Sequence, residues 1–363
     1  MSDPSKPSNP ILEALTKAMQ SGPAQRREEE FYAPRPQSYY FHNGTSWIET
    51  SPNATAPSST SATQITPGAI RLLSWNIDIL VPFAEERMSA ALDYLSTLVS
   101  STPSTTPLVI FLQEMGQSDL KQIRETKWVQ ERFYLTELDE RNWLSELYGT
   151  QTLVDRRLAI SSVFRVPWTS IFERDGLFVD IPLLSSGSPA SGKKDGQVLR
   201  LCNTHLESLV ADPPVRPLQL AAAAPYLAAL HVGAALLAGD LNAIQPFDRT
   251  LHSENGLKDT YLDLGGKEDS DEGYTWGQQV PQWMKDKFGP SRMDKILFRG
   301  AAKPTHFERI GIDVKVAEDK REEVKVAGQL EWVTDHYGVL GDYELEGWEL
   351  GRAEEGKATA KLA

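Results

Sequence analysis

Where apolar runs of this chain break off, they do so on side chains of the kinds that hold divalent cations and phosphates. LLSWNIDIL delivers Asn76 and Asp78 two residues apart, so an extended backbone carries both to one face. VIFLQEMG delivers Glu114. A carboxylate at the end of a buried strand is costly unless it is paired or bound to a cation, and hard oxygen donors select Mg²⁺ or Mn²⁺. LCNTHLES closes on His205. LLAGDLNAI turns at Gly239 into Asp240 and Asn242, one suited to orienting a water and the other to holding a substrate oxygen. SRMDKILFRG opens a run with Asp294, flanked by Arg292 and Lys295, and WVTDHYGVL presents Asp335 and His336. A histidine kept protonated and oriented beside an anionic phosphate needs a carboxylate partner, which Asp294 or Asp335 supplies.

Taken singly, each of these is ordinary. Asn76, Asp78 and Glu114 also read as cap or turn residues, GDLN as a turn, and Arg292 with Lys295 as a solvated pair or as phosphate contacts. Trp276 in GYTWG is either a core residue or an aromatic wall for a base or sugar, worth about 1–3 kcal/mol if it stacks. Of the six histidines, only His205 and His336 stand at strand ends; His42, His231, His252 and His306 read as surface or packing residues.

Those strand ends have to be positioned by an α/β or layered α+β fold. From residue 69 short β-type runs alternate with amphipathic stretches: AIRLLSWN, PLVIFLQ, RLAISSVFRV, GLFVDIPLL, QVLRLCNTHL, GAALLAG, DKILFRG and HYGVLGDYEL as strands. Phe83, Met88, Leu92, Leu95 and Leu98 recur at helical spacing, and PVRPLQLAAAAPYLAALHV predicts a second helix. The stretch from Gly256 to Ser291 reads mostly as loop. Residues 1–67 form a Ser/Pro/Thr/Ala-rich extension expected to be partly disordered, 68–348 the domain, and 349–363 a tail. Within the extension, FYAPRPQSYYFHNGTSWIE is aromatic enough either to dock on the domain or to serve as a separate interaction motif.

Composition narrows the function classes. At 363 residues with 40% hydrophobic and 24% charged side chains, the chain predicts a soluble globular protein, with no run approaching a membrane span and no secretory signal. Cys202 is the only cysteine and reads as a small core residue, which fits an intracellular setting, nuclear or cytoplasmic. A net charge of −13 argues against coating nucleic acid through a broad basic face, but leaves room for a cleft in which a cation reverses the local field.

In order, N…QE…H…GD-x-N…D…DH resembles the endonuclease/exonuclease/phosphatase family of DNase I-like phosphoesterases over roughly residues 69 to 345, and within it the type 2 tyrosyl-DNA phosphodiesterases by W-N-I-D, H-L-E-S, Y-T-W and R-M-D-K-I-L-F-R. The chain departs from the pattern at Thr334, where the family has Ser, at Met293, where an aromatic is frequent, and after HLES, where Thr-Arg-Gly is absent. Neither Tyr134 nor Tyr148 matches the phosphate-binding tyrosine of the apurinic endonucleases.

The resemblance implies a four-layer sandwich of two packed mixed sheets flanked by helices, with the site in the cleft where strand ends meet. It implies Mg²⁺ held by Glu114 with Asp78 and Asp335 close by, Asn76 orienting the ligands, Asp240 and Asn242 on the attacking water, and His205 and His336 on the nonbridging oxygens. Asp294 keeps His336 in its donor tautomer. Trp276 and Arg292 are the expected substrate contacts. The implied partner is DNA with a single-stranded 5′ end carrying a tyrosine or peptide, met by a monomer, with no membrane involved. Abasic DNA, an RNA 3′ end or a phospholipid or inositol phosphate headgroup are the alternatives within the same chemistry, and a non-catalytic scaffold is the alternative outside it.

Overall fold

Sixteen strands make two eight-stranded sheets in the computed structural model, which describes residues 31–52, 65, 66, 68–186 and 196–353, with positions 16 and 20. The first sheet runs β1 (Arg35–Pro36), β8 (Ser162–Pro167), β9 (Asp175–Ser185), β10 (Gln197–Thr204), β11 (Val232–Asp240), β13 (Asp294–Gly300) and β12 (Lys258–Asp259), with β16 (Trp348–Leu350) also on β9. The second runs β14 (Ala302–Ile310), β15 (Gly338–Leu345), β4 (Ala69–Asn76), β5 (Leu108–Met115), β7 (Gly149–Asp155), β6 (Phe133–Leu135), β2 (Tyr39–His42) and β3 (Trp47–Thr50). The longer helices are α1 (Ala84–Ser101), α2 (Gln117–Glu125), α3 (Arg216–Leu227), α4 (Gln282–Phe288) and α5 (Glu318–Val326).

Period-two alternation sorts the side chains into layers. Ile70, Leu72, Val109 and Phe111 of the second sheet meet Leu199, Leu201, Leu236 and Ile296 of the first in one buried cluster between the sheets. Their neighbours face outward. Leu73, Trp75, Ile110 and Leu112 pack under Met88, Leu92 and Leu95 of α1, and Cys202, Ala235 and Leu237 pack under Leu220 and Leu227 of α3. Each such leucine contributes roughly 1.5–3 kcal/mol by leaving water. The result is the expected α/β sandwich of four layers.

The pairing also fixes where the polar strand ends go. β4 runs parallel to β5 and β10 parallel to β11, while β15 lies antiparallel to β4 and β13 antiparallel to β11. The ends of β4, β5, β10 and β11 and the starts of β13 and β15 therefore share one edge of the sandwich.

For the aromatic segment one of the two readings left open by the sequence is observed, and other elements differ from the sequence reading. The aromatic segment of the extension docks: β1 joins one sheet through Arg35↔Arg165, and β2 joins the other through Tyr40↔Leu135. At the other end, pairing continues through Leu350↔Leu183, past the expected end of the domain at 348. β7 and β14 are strands the sequence reading passed over, and the loop after Gly256 contains β12, a helical turn at Thr260–Asp263, and α4. Most of the expected N-terminal disorder, and the tail from 354, lie outside the described residues. No helix among the described residues is long and apolar enough to cross a membrane.

Candidate active site

Two backbone irregularities steer the acidic side chains inward. By strand parity Glu114 belongs on the outer face with Leu108, Ile110 and Leu112, but the β5–β7 register shifts between Leu112 and Met115, and Glu114 takes φ 55°. That left-handed kink at a bulge turns the carboxylate into the shared edge. On β11 the irregular residue is Gly239, at φ 152°, where a Cβ would stand 1.7 Å from the Thr204 carbonyl oxygen. Only glycine fits there, and beyond it Asp240 lies opposite Asp294.

Asp240 is the hub. Its Oδ1 accepts from the Asn242 backbone N–H at 2.8 Å, and its Oδ2 accepts from Asn76 Nδ2 at 3.1 Å. The same Oδ2 faces His205 Nε2 at 3.3 Å and His336 Nε2 at 3.7 Å. Burial works to raise the Asp240 carboxyl, but His336 and His205 together hold it below the usual carboxylate range. Asn76 Nδ2 also reaches Glu114 Oε1 at 3.3 Å, and Glu114 Oε2 accepts from the Ile79 N–H at 3.2 Å.

The two imidazoles differ in their partners. His336 Nδ1 donates to Asp294 Oδ2 at 2.8 Å, leaving Nε2–H turned to Asp240 and, at 3.7 Å, to Asp335 Oδ1. Burial opposes its charge, but Asp294, Asp240 and Asp335 win and raise the imidazole well above its ordinary value. His205 Nδ1 sits 2.6 Å from Arg174 Nη1. A guanidinium cannot accept a hydrogen bond, so Nδ1 is the acceptor and the His205 proton stands on Nε2, pointing into the site. Burial and the Arg174 charge lower the pKa of His205, keeping it neutral at pH 7. Both rings thus present an Nε2–H to the same oxygen, one from a cation and one from a neutral ring.

Acidic groups crowd the other flank. Burial and the Asp335 and Glu114 charges push Asp78 well above the usual carboxylate range, and burial raises Asp335. Trp276 Nε1 donates to Asp335 Oδ2 at 2.6 Å, and the Trp276 ring packs with Val280, Met293 and Met284. Among the described residues, two trios have ligand atoms within 4.8 Å of one another: Glu114, His205 and Asp240, and Asp240, Asp294 and His336. His205 Nε2 is buried and makes no hydrogen bond. Clustered carboxylates, with Asp78 and Asp335 both raised, beside an unused imidazole N–H, match what a divalent cation or a phosphate relieves. Mg²⁺ and Mn²⁺ fit this oxygen-rich donor set. Asp78 and Asp335 stand in neither trio, although the charge of Glu114 reaches both.

Asn76, Asp78, Glu114, His205, Asp240, Asn242, Asp294, Asp335 and His336 all lie at this shared edge. Arg292 corrects that reading. It is 3% exposed, donates to Asp259 at 2.7 Å and to Glu268, and lies over the Tyr261 ring. Lys295 is bound by Glu268 at 3.1 Å. Asp259 and Glu268 therefore occupy these two buried cations, which are neither solvated nor turned to the site. Trp276, at 8% exposure, presents an edge that braces Asp335 rather than a free stacking face. Of the two tyrosines, Tyr134 lies in the core between the sheets and Tyr148 bonds Phe172 O at 2.6 Å under Arg174.

Arg174 was not foreseen, since FERDG carries no local pattern that separates it from a surface arginine. Thr275 was missed too, though its Oγ1 accepts from the Met293 and Asp294 N–H groups at 3.1 and 2.9 Å and so sets the start of β13. Its place beside Trp276 in the YTW motif was the available signal.

The sequence profile of the Endonuclease/Exonuclease/phosphatase family matches residues 73–336. A humanized D. rerio TDP2 carrying 14 mutations is similar in structure, with a TM-score of 0.55 at 21% identity over 76% of this chain and 99% of that one. D. rerio TDP2 complexed with a single-strand DNA product gives 0.55 at 19% over the same shares, 76% and 99%. Truncated Caenorhabditis elegans TDP2 gives 0.53 at 20%, over 76% and 97%. At such identities the likeness is one of fold. No curated protein matches the chain in sequence.

Proposed function

Because the chain belongs to the endonuclease/exonuclease/phosphatase family, we propose that it is a divalent-metal phosphodiesterase that cleaves the 5′-phosphotyrosyl bond between DNA and a peptide remnant. The observation that carries the chemistry is the convergence of two Nε2–H donors on Asp240 beside Glu114. The sequence motifs W-N-I-D, H-L-E-S and R-M-D-K-I-L-F-R support the substrate, as does likeness to TDP2 structures, one of them complexed with a single-strand DNA product.

In this reading Glu114 would hold Mg²⁺, with Asp78 and Asp335 close by. When bound, the cation neutralises charge on the phosphate and polarises it toward attack. Asp240 orients a water and takes its proton, with Asn242 fixing the carboxylate through its backbone N–H. The water oxygen bonds to phosphorus as the bond to the tyrosyl oxygen breaks, leaving a 5′-phosphate and a phenolate that needs little help from an acid. His205 and His336 donate Nε2–H to the nonbridging oxygens as charge builds on them. Their present distances of 3.3 and 3.7 Å from Asp240 are long for hydrogen bonds, as expected where a phosphate oxygen is the intended acceptor. The test is release of tyrosine from a 5′-tyrosyl oligonucleotide with Mg²⁺. The wild type should release it and Asp240→Asn should not; equal, background rates for both would reject the proposal.

A further inference from the structure

Residues 77–83, which join β4 to α1, form an awkward loop. Asp78 (φ 57°) and Phe83 (φ 69°) both adopt the left-handed backbone without being glycine, and no side chain caps α1 at Phe83. The loop is closed by Arg87, one turn inside the helix. Its Nε donates to Pro82 O at 2.7 Å, its Nη2 to Leu330 O at 2.8 Å, and its Nη1 to Trp332 O. Pro82 follows Asp78 in one loop, and Leu330 and Trp332 precede Asp335 in another. One planar fork therefore ties the two loops that bring these carboxylates to the site.

The arrangement is unusual for a buried cation. Arg87 is 3% exposed, and all three of its partners are neutral carbonyls. The charges that act on it are those of Asp78, Asp335 and, from its own helix, Glu86. A guanidinium taken out of water without a contacting carboxylate is expensive to keep. Its geometry returns something only a fork provides, since three diverging N–H groups satisfy three backbone carbonyls at once.

We infer that Arg87 is a positioning residue that clamps the Asp78 loop to the Asp335 loop and so fixes the spacing of the carboxylates that face Glu114. The inference rests on the metal-centre reading above. Lysine at 87 keeps a charge but replaces the fork with a point donor, whereas methionine keeps the bulk and removes both charge and donors.

The experiment measures the Mn²⁺ dissociation constant of the full chain by electron paramagnetic resonance for wild type, Arg87→Lys, Arg87→Met and Glu114→Gln. It is run well below each variant's unfolding midpoint, with folding checked by circular dichroism. Arg87→Lys and Arg87→Met should both bind Mn²⁺ at least tenfold more weakly than wild type. Were Arg87 only core filling, both would melt earlier yet keep the wild-type constant within twofold. Were it only a charge, Arg87→Met would bind Mn²⁺ more tightly, because a repelling cation is gone. Either of those results overturns the inference alone. Unchanged binding in Glu114→Gln, or no binding by wild type, overturns the reading of the site and the inference with it.

Discussion

Asp240 shows how much a single oxygen is asked to do. Its Oδ2 faces two imidazoles and an amide, and the three agree only because each ring has its far nitrogen engaged: His336 by Asp294, His205 by Arg174. In Asp294→Asn the amide keeps the shape but no longer stabilises an imidazolium. Under the proposed reaction kcat should fall by about 10²–10⁴ with KM changed only a few-fold, read by steady-state kinetics on a 5′-tyrosyl oligonucleotide. An undiminished kcat would remove His336 from the chemistry. Arg292→Ala should behave in the opposite way. Leaving Asp259 without its cation, and Glu268 with Lys295 alone, costs about 3–5 kcal/mol in a urea titration, while KM for the folded protein stays within twofold. The nine polar residues of the site were legible in sequence because each ends or opens an apolar run. Arg174 was not, because its bond to His205 links the start of one strand to the end of the next, and no local pattern records that. Arg292 misled for a related reason: its partners, Asp259 and Glu268, lie 33 and 24 residues away in a stretch that reads as loop.

At the scale of elements, two short irregular stretches do the steering. Gly239→Ala would drive a methyl group into the Thr204 carbonyl, and neither β10 nor β11 can move aside without breaking their parallel pairing. Loss of several kcal/mol is expected, together with loss of activity in what remains folded, since Asp240 and His205 flank the clash. A thermal midpoint within 2–4 °C of wild type, the shift roughly 1 kcal/mol produces in a domain of this class, would show that the strand ends are looser than they look. At the start of α2, directly after Glu114, Asp119 Oδ2 accepts from the Gly116 N–H at 2.8 Å. Burial, partly offset by that bond, lifts this carboxyl from 3.8 to about 6. Between those values the folded chain binds a proton that the unfolded chain has lost, so stability declines as pH rises from about 4 to about 6 and stays lower above. The decline amounts to at most about 3 kcal/mol. The change in unfolding free energy from pH 4 to pH 7, read from urea titrations, should be more favourable in Asp119→Asn than in wild type by up to that amount, and parallel pH profiles would contradict it. Strands that read as short apolar runs with polar or glycine ends, such as β4 and β11, were legible from sequence; β7 and β14 were not. GTQTLVD and AKPTHFERI mix polar and apolar residues because their places are settled by neighbours in the sheet, not by their own pattern.

For the molecule as a whole, the segment from 31 to 50 is a strap that belongs to neither sheet alone. Gln37 shows this in one residue: its N–H donates to Val163 O beside the first sheet, while its side chain reaches Thr136 O and Glu137 beside the second. Tyr39, 2% exposed, packs edge-on against Tyr134 in the core. Tyr39→Ala should therefore cost about 3–5 kcal/mol by urea titration, the scale of a core aromatic, although its surroundings in sequence resemble a tail. A cost below 1 kcal/mol would mean the strap is only loosely held. A layered α/β fold was legible from the order of strands and helices, and its four-layer plan from the family resemblance, but this strap was not, since composition alone cannot say what a short aromatic stretch will cover. Its pairing also imposes a timetable on synthesis. Arg35 leaves the ribosome early, yet its partner Arg165 is made 130 residues later, on the order of ten seconds at ordinary elongation rates. Tyr39 and Tyr40 meet their partners Tyr134 and Leu135 sooner, and until β8 is made β1 has no strand to pair with.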